Sequence, residues 1–146
     1  GSSRFLRPQQ VVEEFNAAGE AEDWLQVAHL MASNVVPEPD AQDLRKLIEG
    51  TMMNADRNFL RHFFDPNPEM DISDVVADLG IPVLVMHGTA DVQAPFNGSE
   101  HLARQIRNGQ HYAFEGKGHL PMQTATKEFC AALRNFLVST QHCKEH

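Results

Sequence analysis

Asp91 and His119 are placed as the acid and the base of a hydrolytic triad would be. Each follows a predicted strand. The first run reads Ile81-Pro82-Val83-Leu84-Val85-Met86-His87-Gly88-Thr89-Ala90-Asp91, and the second ends in Gly116-Lys117-Gly118-His119-Leu120-Pro121. In open α/β sheets the reactive groups gather beyond the carboxyl ends of the strands, so both side chains fall at one end of one sheet. A carboxylate bonded to one imidazole nitrogen fixes the tautomer and stabilises the imidazolium. The other nitrogen is then free to take a proton from a serine, a cysteine or water.

Each residue also has a plainer reading. Asp91 alone is a turn aspartate in solvent, and His119 alone is a surface-loop histidine. Their pairing, each after its own strand, favours the site. His87 reads as a strand-end residue buried near that site. His29, His62, His101 and His111 lie on separate elements without metal-ligand spacing, so neither a metal nor an organic cofactor is expected. Ser2 and Ser3 are terminal hydroxyls with no nucleophile elbow around them. Glu13, Glu14, Glu20, Glu22 and Asp23 read as a solvated helix face.

The elements that must position the pair follow from periodicity. Before residue 70 the chain reads as helices. Pro8 to Ala17 puts Val11, Val12 and Phe15 on one side. Ala21 to Ser33 does the same with Trp24, Val27, Ala28 and Met31. After the breakers Pro37 and Pro39, a longer helix from Asp40 or Ala41 turns Leu44, Leu47, Ile48, Met52 and Phe59 inward. Asp65 to Pro68 is a turn, and Ile72 to Leu79 a short helix capped by Asp71 or Ser73. From there strands and helices alternate: a strand at Pro82 to Met86, a helix at Ser99 to Asn108, a strand at Gln110 to Phe114 and a helix at Pro121 to Val138. That order predicts a parallel pair with a crossover. The valine- and leucine-rich first strand predicts burial on both faces. Phe129, Leu133, Phe136 and Leu137 should face the core, and Cys130 should lie in it. Two strands make a poor sheet by themselves, so the first strand expects neighbours that this chain does not contain.

Composition bounds the partners. With 146 residues, 42% hydrophobic and 22% charged, this is an ordinary globular chain. A net charge of −8 disfavours nucleic acid and anionic membranes, and no run is long enough to span a bilayer. Cys130 and Cys143 lie too far apart for a disulfide, which fits a reducing, cytoplasmic setting without a signal peptide. Gly1-Ser2-Ser3 reads either as a cloning remnant or as native sequence.

At His87-Gly88-Thr89-Ala90-Asp91, with Ala94-Pro95 and then Gly116-Lys117-Gly118-His119, the chain resembles the C-terminal part of the α/β-hydrolase fold family. The 28-residue step from Asp91 to His119 suits that family's acid-to-histidine order. The resemblance implies that residues 1–70 are the helical cap, that residues 71–140 are the C-terminal part of the core, and that 141–146 are a tail. It implies Asp91 as the charge-relay acid and His119 as the catalytic base. It implies a two-strand remnant of the hydrolase sheet and an acyl substrate, a small ester for instance. Trp24, Met31 and Phe59 then either pack the cap or line an acyl pocket beneath it. The departure is large: the family's Gly-x-Ser-x-Gly elbow is missing. Asn97-Gly98-Ser99-Glu100-His101 lacks the second glycine and follows Asp91.

Three readings therefore stand. The chain is a hydrolase portion, inactive alone, whose nucleophile comes from the N-terminal part or from a partner chain. Alternatively it is a non-catalytic binding or signalling module on the same scaffold. The third is a domain that pairs with itself as a homodimer through its exposed sheet edge.

Overall fold

The computed structural model describes residues 8–62 and 73–141. Gly1 to Ser3, Phe63, Phe64, the Asp65–Pro68 turn, Asp71, Ile72, His142, Cys143 and His146 lie outside the described residues, as does the side chain of Phe59. Among these residues eight helices and two strands follow in the order α1 (Gln9–Glu20), α2 (Trp24–Val35), α3 (Gln42–Met53), α4 (Arg57–His62), α5 (Ser73–Ala77), β1 (Val83–Gly88), α6 (Phe96–Gln105), β2 (Gly109–Phe114), α7 (Pro121–Thr124) and α8 (Thr126–Gln141).

The helical half is held by one apolar cluster. Pro8, whose fixed φ suits a helix start, accepts from the amides of Val11 and Val12 to begin α1. Asp23 caps α2, its carboxylate accepting the Gln26 amide at 3.0 Å. Phe15 and Ala18 of α1 then meet Val27 and Met31 of α2, four residues apart on one face. Pro37, which cannot continue a helix, follows the end of α2.

The third helix departs from the sequence pattern in two ways. Leu47, expected inward, is 66% exposed. Among the described residues α2 is the helix that flanks α3 closely, so the covered stripe is narrow. It takes Leu44, Ile48 and Met52, which are half-buried, and leaves Leu47 outside. The helix also stops at Met53 instead of running on to Phe59. Asn54 turns its side-chain amide back onto the Gly50 carbonyl at 2.8 Å, and a new helix starts at Arg57.

The two strands are parallel, in register from Val83 opposite Gly109 to Gly88 opposite Phe114. The connecting α6 packs Ser99 and Ala103 toward the sheet. Gly109 is required there, because a Cβ would lie 2.1 Å from the Ala103 carbonyl oxygen. Phe114, fully buried, stacks on Phe129 with ring centroids 5.9 Å apart. The expected burial of β1 on both faces is not realised: Val83 to His87 are half-buried. Among the described residues β1 has one hydrogen-bonded neighbour, β2.

The terminal helix shows the same shortage of cover. It is broken at Ala125, where the backbone leaves the helical region. Leu133, Leu137 and Cys130, all expected inward, are exposed, while Phe129 and Phe136 are half-buried. The cause is geometric. Among the described residues the sheet has two strands, and so narrow a sheet covers only part of the apolar face of a 16-residue helix. No helix among the described residues is long and apolar enough to cross a membrane.

Candidate active site

The turn after β1 is stitched to the loop after β2. The Thr89 amide donates to Phe114 O at 3.0 Å and the Ala90 amide to Lys117 O at 2.9 Å, while Thr89 Oγ1 accepts from the Gly116 amide at 2.8 Å. These bonds draw the two loops so close that a Cβ on Gly88 would sit 2.2 Å from both the Lys117 and Gly118 carbonyl oxygens. Gly116 has φ +67°, a left-handed turn that glycine tolerates. Gly88→Ala should therefore lower the stability of the chain by about 2 kcal/mol, because the clash is with backbone that cannot step aside. Urea unfolding at neutral pH measures it.

Asp91 and His119, paired in the sequence by the strands they follow, are brought together. His119 Nδ1 lies 2.8 Å from Asp91 Oδ2. The Asp91 side chain is 2% exposed and that of His119 43%. Asp91 Oδ1 accepts the amides of Gln93 and Ala94 at 2.7 and 3.0 Å, which locks the carboxylate plane. A carboxylate only accepts, so Nδ1 of His119 carries the proton and Nε2 is left as the acceptor.

A second imidazole shares the same oxygen. His87 Nε2 is 2.9 Å from Asp91 Oδ2 and 2.9 Å from the Ala94 carbonyl. Both partners are acceptors, so Nε2 of His87 must hold a proton. His87 is thus near the site as the sequence suggested, but its bond to Asp91 was not foreseen. Burial is the strongest single influence on Asp91 and would raise its pKa. Hydrogen bonds from His119, His87 and the Ala94 amide, with the charge of His119, outweigh it and hold the carboxyl well below the usual carboxylate range. The hydrogen bond to Asp91 pushes the His87 pKa up against the opposing effect of burial.

That raised value has a sign. Stability supplied by charged His87 is fully present below the unfolded imidazole value, about 6.5, and is lost as pH rises through the higher folded value. His87→Gln keeps a donor without a titrating group. It should remove this part of the decline in Tm between mildly acidic and mildly alkaline buffer. Thermal melts of both proteins across that range test it, and parallel Tm curves would contradict it.

Glu38 escaped the sequence reading altogether. It is 5% exposed, and its Oε1 accepts the Gly118 amide at 3.0 Å and the Thr124 hydroxyl at 2.7 Å. Beside it, the His119 amide donates to Val35 O at 2.9 Å. A glutamate between two prolines carries no local sign of partners some 80 residues away.

The pair opens into a cleft of about 170 Å³ lined by Met86, His87, Asp91, His119, Met122 and Phe129. Trp24 and Met31 do not line this cleft. Trp24 sits at the rim of the helical core under the Arg57 guanidinium, 5.2 Å from its ring centroid. Met31 lies in that core, 5% exposed, with Gln93 Nε2 at 3.7 Å from its sulfur.

Ser99 is not arranged as a nucleophile. Its hydroxyl donates to Phe96 O at 2.7 Å, so the His111 Nε2 that lies 2.9 Å from Oγ acts as donor to it. That is the reverse of the polarity base catalysis needs.

Residues 61–143 match the family model described as TAP-like protein. The chain is 25% identical over 139 residues to the pimeloyl-(acyl-carrier protein) methyl ester esterase of Vibrio parahaemolyticus, a match covering 87% of this chain and 48% of that protein. It is similar in structure to an esterase from Rhodococcus sp. ECU1013, with a TM-score of 0.75 at 19% identity over 91% of this chain and 48% of that one. It is also similar to a bromoperoxidase from Bacillus anthracis, with a TM-score of 0.73 at 21% identity over 88% and 49% respectively. The chain spans about half the length of each of these proteins.

Proposed function

This chain belongs to the α/β-hydrolase family, in the branch described as TAP-like protein, and from that premise we propose that it supplies the acid and base of a triad that cleaves a small ester or related acyl substrate. The observation that carries the proposal is the 2.8 Å contact between Asp91 Oδ2 and His119 Nδ1. His119 Nε2 takes the proton of a nucleophile and returns it to the leaving group. Asp91 holds the imidazole in the required tautomer and stabilises the imidazolium. An acyl-enzyme forms on the nucleophile, and water, activated by the same Nε2, releases it.

The nucleophile and the oxyanion donors come from polypeptide outside this sequence, which has no Gly-x-Ser-x-Gly elbow. The share of the relatives' length that this chain spans supports that division. The helices of residues 8–62 act as the cap, and Met86, Met122 and Phe129 receive the acyl group. A curated relative is named for a methyl ester, which makes short methyl and p-nitrophenyl esters the first substrates to try.

The test compares the chain alone with the chain joined to an elbow-bearing segment. Hydrolysis only in the joined protein is expected. Equal hydrolysis by the chain alone would overturn the division of labour. A joined protein that binds acyl compounds but turns none over would favour a binding module instead.

A further inference from the structure

Glu38 stands in the Pro37–Pro39 connector between α2 and α3 and reaches across to the loop that carries His119. One oxygen, Oε1, accepts from the residue before His119 and from a residue beyond it: the Gly118 amide at 3.0 Å and the Thr124 hydroxyl at 2.7 Å. The carboxylate thus grips the histidine's segment from both sides. The connector is close to that loop throughout. A Cβ on Gly118 would lie 2.2 Å from Pro37 Cδ and 2.7 Å from Val35 O, and the His119 amide bonds Val35 O at 2.9 Å. The connector is itself tied down, since Arg45 Nη1 donates to the carbonyls of Val36 and Glu38 at 3.1 and 2.9 Å.

This arrangement is expensive for stability alone. Oε2 of Glu38 is buried and has no hydrogen-bond partner among the described residues. A buried carboxylate with one oxygen unsatisfied costs free energy that a smaller or apolar side chain would avoid. Its return is geometric: an ångström of misplacement in a catalytic group is enough to lower turnover about 100-fold. We infer that Glu38 is a positioning residue that fixes the loop of His119, through the Gly118 amide and the Thr124 hydroxyl, so that Nδ1 stays on Asp91. The inference rests on the reading of His119 as the base, but it can be tested without turnover.

The experiment follows the imidazole N–H protons of the ¹⁵N-histidine-labelled chain by NMR. In Glu38→Ala the Nδ1–H of His119 should exchange with water about tenfold faster than in the wild type, the scale expected when hydrogen bonds that close a loop are lost. The Nε2–H of His87, on the same Asp91, should stay unchanged and serves as the control. Glu38→Gln keeps the accepting oxygen and should restore slow exchange. A folded Glu38→Ala with wild-type exchange at His119 would overturn the inference, and so would a Gln variant as fast as Ala. If Glu38→Ala does not fold, Thr124→Val decides: faster exchange confined to His119 supports positioning, and unchanged exchange overturns it. In the assembled enzyme Glu38→Ala should lower kcat at constant KM. Full activity of His119→Ala would refute the base assignment while leaving the exchange result standing.

Discussion

His119→Ala should lower kcat of the assembled enzyme by about 10⁴-fold with little change in KM, the scale on which a triad's base acts. The loss is chemical and not structural. The His119 side chain is 43% exposed, and its only side-chain bond described is the one to Asp91, so truncation leaves the core intact. Urea unfolding should shift by about 1.5 kcal/mol, the scale of one charge-assisted hydrogen bond lost from a buried carboxylate that keeps its other partners. Added imidazole should restore part of the rate, because the space vacated opens into the cleft beside Asp91. A variant that keeps wild-type kcat would remove His119 from the mechanism. One that fails to fold would show that the residue has a structural weight its exposure does not suggest.

Asp91→Asn should be nearly as damaging to turnover and more damaging to the fold. An asparagine oxygen can still accept the Gln93 and Ala94 amides, but its NH₂ then faces two imidazole N–H groups. Both histidines must flip tautomer or lose the contact, and in His119 the flip puts a proton on the nitrogen that should receive one. A loss of about 10⁴-fold in kcat is expected. Neutral-pH stability should drop by about 2 kcal/mol, the scale of a lost charge-assisted hydrogen bond.

The acid side separates this variant from the wild type. Asp91 has a folded pKa below its unfolded value, so its contribution is present above the ordinary carboxylate range, about pH 4, and is lost as pH falls toward the folded value. The stability gap between wild type and Asp91→Asn should therefore narrow below about pH 4. Urea titrations at neutral and acidic pH measure the gap, and a constant difference would mean that the Asp91 charge does not stabilise the fold.

What was legible in the sequence was local or strictly periodic. The first strand announced itself as an apolar run ending in glycine, and Asp91 sits three residues past that glycine. His119 follows a second strand through a glycine-rich turn. Those cues suffice because sheet topology alone carries both residues to one rim. The breaks at Asn54 and Ala125 were not legible: the first turns on a side-chain amide bonding the Gly50 carbonyl, and the second falls at an alanine, which carries no breaking signal. The exposure of Leu47, Leu133 and Leu137 was missed for a different reason. Periodicity says which face is apolar, not whether anything covers it, and a two-strand sheet covers little. Glu38 and the second imidazole on Asp91 were invisible because a hydrogen bond across the fold leaves no trace in local composition.

On this reading the base lies in this chain and the nucleophile outside it. Covalent trapping with a fluorophosphonate probe tests both halves in one experiment. In the assembled enzyme the label should fall on a serine outside residues 1–146, at a rate that drops sharply in His119→Ala. Label on a serine within the chain, Ser99 included, or a labelling rate indifferent to His119 would contradict it.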